Sequence, residues 1–91
     1  MPKRAIPVKL GQKLWRIRTH FGFTLEQMAN AIGLKNPSRR SRIHEWEAGK
    51  RQPDLTSLLR YARVAGITTD VLIDDEIELD LNDIAQDSIN D

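Results

Sequence analysis

Apolar residues recur on a helical period of about 3.6 residues through most of this chain. Leu10, Leu14, Ile17 and Phe21 lie four, three and four positions apart. They form the stripe of one amphipathic helix, which Gly22 ends. Thr24-Leu-Glu-Gln27 has the spacing of a capping box, with Gln27 placed to reach back to the Thr24 amide. Met28 and Ile32 continue the buried stripe, and Ala29 leaves space for close helix approach. Gly33 stops this second helix after about three turns, so it has to pack on its neighbours to be stable.

The stretch Leu34 to Ser38 connects to a third helix whose start has two readings. Asn36 caps it with Pro37 at the first helical position, or Ser38 caps it and the helix begins at Arg39. It then runs through Glu47 or Ala48 and ends at Gly49, with Ile43 and Trp46 setting its apolar register. Lys50-Arg51-Gln52-Pro53 reads as an exposed loop. Asp54 caps a fourth helix with Leu55, Leu58, Leu59, Ala62 and Ala65 on one face and Gly66 at its end. Thr68 caps a short fifth helix carrying Val71, Leu72 and Ile73. The pattern predicts an all-α, compact five-helix domain over residues 8–75. A loose N-terminal arm, residues 1–7 with Pro2 and Pro7, precedes it. An acidic tail, residues 76–91, follows, partly mobile or engaged in dimerisation. In the tail, Ile77, Leu79 and Leu81 alternate with acids as a weak strand signal. Ile84-Ala85 and Ile89 instead suit a helix, and the last ten residues are expected to be mobile.

Charge divides the chain sharply. Residues 1–53 hold twelve Lys/Arg against three acids, a net +9, and residues 54–91 hold two arginines against ten acids, a net −8. Such asymmetry points to a polyanion partner for the basic part. With no cysteine, disulfides and thiolate metal sites are excluded, and two histidines make a zinc site improbable. No metal or cofactor is expected. No apolar run approaches the roughly 20 residues of a membrane span, and the N-terminus lacks the apolar core of a signal peptide. The expected location is therefore the cytoplasm. Paired catalytic carboxylates, a nucleophile elbow and a Gly-rich phosphate loop are all missing, so an enzyme is not expected.

The basic charge concentrates where the helical register is also present. Arg39, Arg40, Arg42, Lys50 and Arg51 surround Ile43 and Trp46. A disordered basic tail has no use for that register, whereas a helix with one face on a core and the other on nucleic acid does. The order of elements adds to this: Thr-x-x-Gln on the second helix, Ile-x-x-Trp-Glu-x-Gly-Lys on the third, then Arg-Gln-Pro and Gly-Ile-Thr-x-Asp-x-Leu-Ile. Over about residues 9–73 it resembles the Cro/C1-type helix-turn-helix family, the XRE-like regulators with a lambda-repressor-like fold. One departure is visible. Ile43 stands ten residues after Gly33, about four more than most members need, so the turn is longer or the third helix gains an N-terminal turn.

The resemblance implies that the third helix enters the major groove of double-stranded DNA. The matching base readers are Arg40 and Ser41, with Glu45 one turn later and Arg39 and Arg42 flanking. Any of these arginines can equally be phosphate-bound or solvated. Phosphate contacts fall to Thr24, His44, Lys50, Arg51 and Gln52, extended by Lys13 or Arg16. Leu25 stands where members often carry a glutamine, so that contact is missing or is replaced by backbone amides at the start of the helix. Arg18 and Glu47 match the family's ion pair between the first and third helices. The resemblance further implies a repressor binding a palindromic operator as a homodimer, with Val71, Leu72, Ile73, Ile77 and Leu79 available for the dimer surface. The alternative is an antitoxin-type or other protein-interaction module whose acidic tail binds a basic protein partner.

Overall fold

A computed structural model describes residues 7–81, all helix and loop, with five helices. They are α1 (Leu10–His20), α2 (Leu25–Ala31), α3 (Arg39–Glu47), α4 (Leu55–Ala65) and α5 (Thr69–Ile73). The N-terminal arm before residue 7, the Ile84–Ile89 segment and the other residues beyond 81 lie outside the described residues. Among the described residues, no helix is long and apolar enough to cross a membrane.

The core follows the apolar stripes. Leu10, Leu14 and Ile17 of α1 meet Met28 and Ala29 of α2, Ile32 just beyond it, and Ile43 and Trp46 of α3. The capping box of α2 is complete: the Thr24 hydroxyl accepts from the Gln27 amide at 3.0 Å, and the Gln27 side-chain carbonyl accepts from the Thr24 amide at 2.8 Å. The helix is shorter than the spacing suggested, seven residues, because Ile32 already leaves helical geometry and Gly33 turns left-handed at φ +80°. Arg60 from α4 reinforces that end by donating to the Ile32 carbonyl at 3.1 Å.

Two expectations for the last helices change. The inward face of α4 is Ser57, Leu58, Tyr61, Ala62 and Ala65, whereas Leu55 is 84% exposed and Leu59 40%. Tyr61 decides the rotation. Its ring packs edge-on to Trp46 with centroids 6.4 Å apart, which turns the Leu55–Leu59 row outward. The second change is in the tail, where Leu79 is buried in the core and Leu81 packs against it. Residues 77–81 therefore lie on the helices, and the Ile77–Leu81 alternation does not build a strand.

That packing is locked by reciprocal capping. α1 has no side-chain cap of its own. The carboxylate of Asp75 accepts instead from the amides of Val8 and Lys9, at 2.9 and 3.0 Å. In return Lys13, only 4% exposed, donates to the carbonyls of Val71 (2.6 Å), Asp74 (2.9 Å) and Ile77 (2.9 Å). A lysine ammonium has three donors, and all three are used. Burial pushes the Lys13 pKa down, against the opposing pull of Asp75 and Asp74.

Tyr61 is the weak point of the core. Its hydroxyl is buried without a hydrogen-bond partner among the described residues, and burial pushes its phenol pKa up. Tyr61→Phe removes the stranded group and keeps the ring. It is expected to leave thermal stability unchanged or raise it by up to about 1 kcal/mol. A loss larger than that would mean the hydroxyl is satisfied in solution.

Candidate nucleic-acid interface

A helix turns about 100° per residue, and this fixes what α3 can present. Ile43 and Trp46 point to the core. On the opposite side, Arg40, Ser41 and His44 are exposed and Glu45 is half-buried. Together with Leu25, Pro37 and Lys50 they line one open depression. The helix begins at Arg39, with Ser38 at the cap position. The Ser38 hydroxyl does not cap α3 but donates to the Asn36 side-chain oxygen at 3.0 Å. The extra residues thus form a longer connection rather than another helical turn.

The arginines separate into two groups. Arg40 is exposed on the open face. Arg39, expected among the base readers, is turned back: its Nη2 lies 3.1 Å from Glu26 of α2, and its Nε is buried without a partner among the described residues. It stands four residues before Ile43, in the row that faces inward. Arg42, also expected as a reader, is exposed, but on the other flank of α3, towards the start of α4. There the Asp54 carboxyl is held below its ordinary range, chiefly by the hydrogen bond from the Ser57 hydroxyl, with Arg42's charge adding to the effect. Neither Arg39 nor Arg42 lines the depression.

The expected phosphate contacts are also redistributed. The Thr24 amide and a lone pair of its hydroxyl are committed to the capping box, which leaves the hydroxyl proton for a ligand. Lys50, Arg51 and Gln52 are exposed. Their loop folds onto α3, where the Glu45 carbonyl accepts from the Lys50 and Arg51 amides at 2.9 and 3.4 Å. Arg51 also lies 3.6 Å from the Glu45 carboxylate, so Glu45 shares its charge with the loop. Lys13 is unavailable, being buried in the α5 clasp, and Arg16 is half-buried on α1.

Two contacts hold this face at a fixed angle. Arg18 grips Glu47 with two hydrogen bonds, Nε to Oε2 at 2.7 Å and Nη2 to Oε1 at 3.0 Å. A third goes from Nη1 to the Phe23 carbonyl at 3.0 Å. Beside this pair α1 touches the backbone of α3 at Gly11, where a Cβ would lie 2.7 Å from the Glu47 carbonyl oxygen and 2.9 Å from that of Trp46. Sequence reasoning missed Gly11. Its signal was a glycine inside a helical pattern one residue after Leu10, a position where close approach of another backbone is the usual reason.

Comparison with known proteins agrees with this geometry. Residues 16–72 match the family described as Helix-turn-helix. A curated relative is the SPbeta prophage-derived uncharacterized HTH-type transcriptional regulator YonR of Bacillus subtilis (strain 168). It is 31% identical over 78 residues, which are 85% of this chain and 68% of that protein. No solved structure matches. The chain is a non-enzymatic DNA-binding regulator and belongs to the Cro/C1-type helix-turn-helix family.

Proposed function

We propose that the protein is a repressor that binds a palindromic operator as a dimer and blocks promoter access. The observation that supports base reading is the outward face of α3, where Arg40, Ser41, His44 and Glu45 stand together beside Lys50. Arg40 is the principal reader, since its planar fork matches guanine O6 and N7. Ser41 and Glu45 add polar contacts, with Glu45 able to accept from cytosine N4. Lys50, Arg51, Gln52, His44 and the Thr24 hydroxyl position the domain on the phosphates. Arg39 acts differently in this reading, attaching the recognition helix to α2 through Glu26, and Arg42 stays exposed on the flank that faces the start of α4.

A single short helix reads only a few base pairs, so two copies on half-sites about 34–36 Å apart supply the remaining specificity. Ile73 and Ile77 are exposed at the end of the fold and are free to pair. Leu72 and Leu79 are not, because both are spent in the domain's own core.

A salt-titrated binding assay on a duplex selected from a random library tests the division of labour. Arg40→Ala is expected to lose about 1–3 kcal/mol and to relax preference at one base pair per half-site. Lys50→Ala is expected to weaken binding to all sequences alike and to lower the salt slope by about one unit. Identical behaviour of the two variants on selected and random DNA would overturn the assignment. A selected sequence without two-fold symmetry would overturn the dimer.

A further inference from the structure

The depression in front of α3 is lined by both polar and apolar side chains. Arg40, Ser41, His44, Glu45 and Lys50 supply its polar groups, while Leu25 and Pro37 are its apolar lining. Leu25 opens α2 directly after its N-cap Thr24 and packs its inner part on the core, so it is half-buried and fixed in place. Pro37 lies in the lengthened connection, exposed, with a rigid ring and no N–H. Neither side chain can hydrogen-bond, and both are poor neighbours for a phosphate, which would lose water against them without gaining a donor. On the base edges of the major groove, the apolar feature is the C5-methyl group of thymine.

Building on the DNA-reading function proposed above, we infer that Leu25 and Pro37 form a thymine-methyl contact that selects a thymine next to the base pair held by Arg40. Sequence choice then comes partly from outside the recognition helix. The lengthened α2–α3 connection gains a role, which is to carry an apolar group to the groove floor beside the guanidinium. The cationic groups of the same depression, Arg40 and Lys50, bring the polyanion in. The apolar wall adds discrimination against cytosine, which places a hydrogen on C5 and an amino donor beside it.

The test uses the full chain and the duplex selected from a random library. Each thymine of the half-site is replaced singly by deoxyuridine, which lacks only the methyl group. One replacement is expected to weaken binding about fourfold, the equivalent of roughly 0.8 kcal/mol for one buried methyl. That sensitivity is expected to shrink in Leu25→Ser or in Pro37→Ser, the second being a change at an exposed site that leaves the core intact. Deoxyuridine without effect at every position overturns the inference while leaving the DNA-reading function standing. A deoxyuridine effect equal in wild type and Pro37→Ser, and in folded Leu25→Ser, also overturns it, since another group then reads the methyl. Failure to select any duplex overturns the proposed function together with this contact.

Discussion

Replacing Glu47 by alanine is expected to lower the free energy of unfolding by about 3–5 kcal/mol, the range for stranding one member of a buried ion pair. The side chains of Arg18 and Glu47 retain only 16% and 9% of their exposure. Without the carboxylate, two guanidinium donors lose their acceptors and only the Phe23 carbonyl remains. The arginine has no escape by losing its proton, because a guanidinium stays charged in proteins even without a carboxylate partner. A small domain has about 5–15 kcal/mol in total, so the variant would unfold partly under mild conditions. Urea denaturation measures the loss. A change below about 1 kcal/mol, typical of an exposed pair, would refute burial. The double variant Arg18→Met/Glu47→Leu is expected to recover much of the loss, since no charge is then left unpaired. DNA affinity serves as a second readout. The pair and the Gly11 contact together set the angle of α3, so the folded fraction of Glu47→Ala should also bind less tightly.

This pair was legible in the sequence only through family resemblance. Arg18 and Glu47 are 29 positions apart, and periodicity alone gives no reason to join them. Periodicity did carry the helices. The four-three-four stripe of α1, the capping box at Thr24 and the Asp54 cap all depend on local geometry that a short window contains. It failed where a tertiary contact chose between faces. In α4 both the Leu55–Leu59 row and the Leu58–Tyr61–Ala62–Ala65 row are apolar. The choice fell to the aromatic contact between Tyr61 and Trp46, which no local pattern encodes.

The reading surface shows the same division more sharply. A cluster of arginines in the sequence invited the assignment of Arg39, Arg40 and Arg42 to one role. Helical spacing sets Arg39 apart: it precedes Ile43 by one turn and falls in the row that leads inward, whereas Arg40 and Arg42 lie on the two flanks of that row and are both exposed. Arg40 alone shares a side with His44. The register was thus sufficient to take Arg39 off the reading face, and the depression beside His44 then selects Arg40 over Arg42. What it could not supply was Glu26 as the partner of Arg39, or that the Arg42 flank faces the start of α4, because these depend on how α2 and α4 dock. Lys13 was misplaced for a related reason. A lysine between Leu10 and Leu14 looks solvent-bound until the carbonyls of a distant segment arrive to receive it.

Lys13→Met is therefore expected to lower the free energy of unfolding by about 2–4 kcal/mol. Each hydrogen bond from a charged donor contributes about 1.5–3 kcal/mol, and the desolvation of the ammonium offsets part of the sum. Methionine keeps the aliphatic stem and its packing, so the loss reports the ammonium itself. For a domain of this size the midpoint of thermal unfolding should fall by roughly 10–30 °C. The damage should begin locally. Val71, Asp74 and Ile77 lose their shared donor, the Asp75 carboxylate loses a nearby positive charge, and the amides of Val8 and Lys9 lose a well-placed cap. Hydrogen exchange should accordingly speed up first at residues 71–77 and at the start of α1. A stability change under about 0.5 kcal/mol would mean that water replaces the ammonium at all three carbonyls. Lys13 lines no part of the α3 depression, so Lys13→Met protein that remains folded should keep its full salt slope on DNA. Loss of about one unit would return this lysine to the phosphate contacts and contradict the clasp as its sole role.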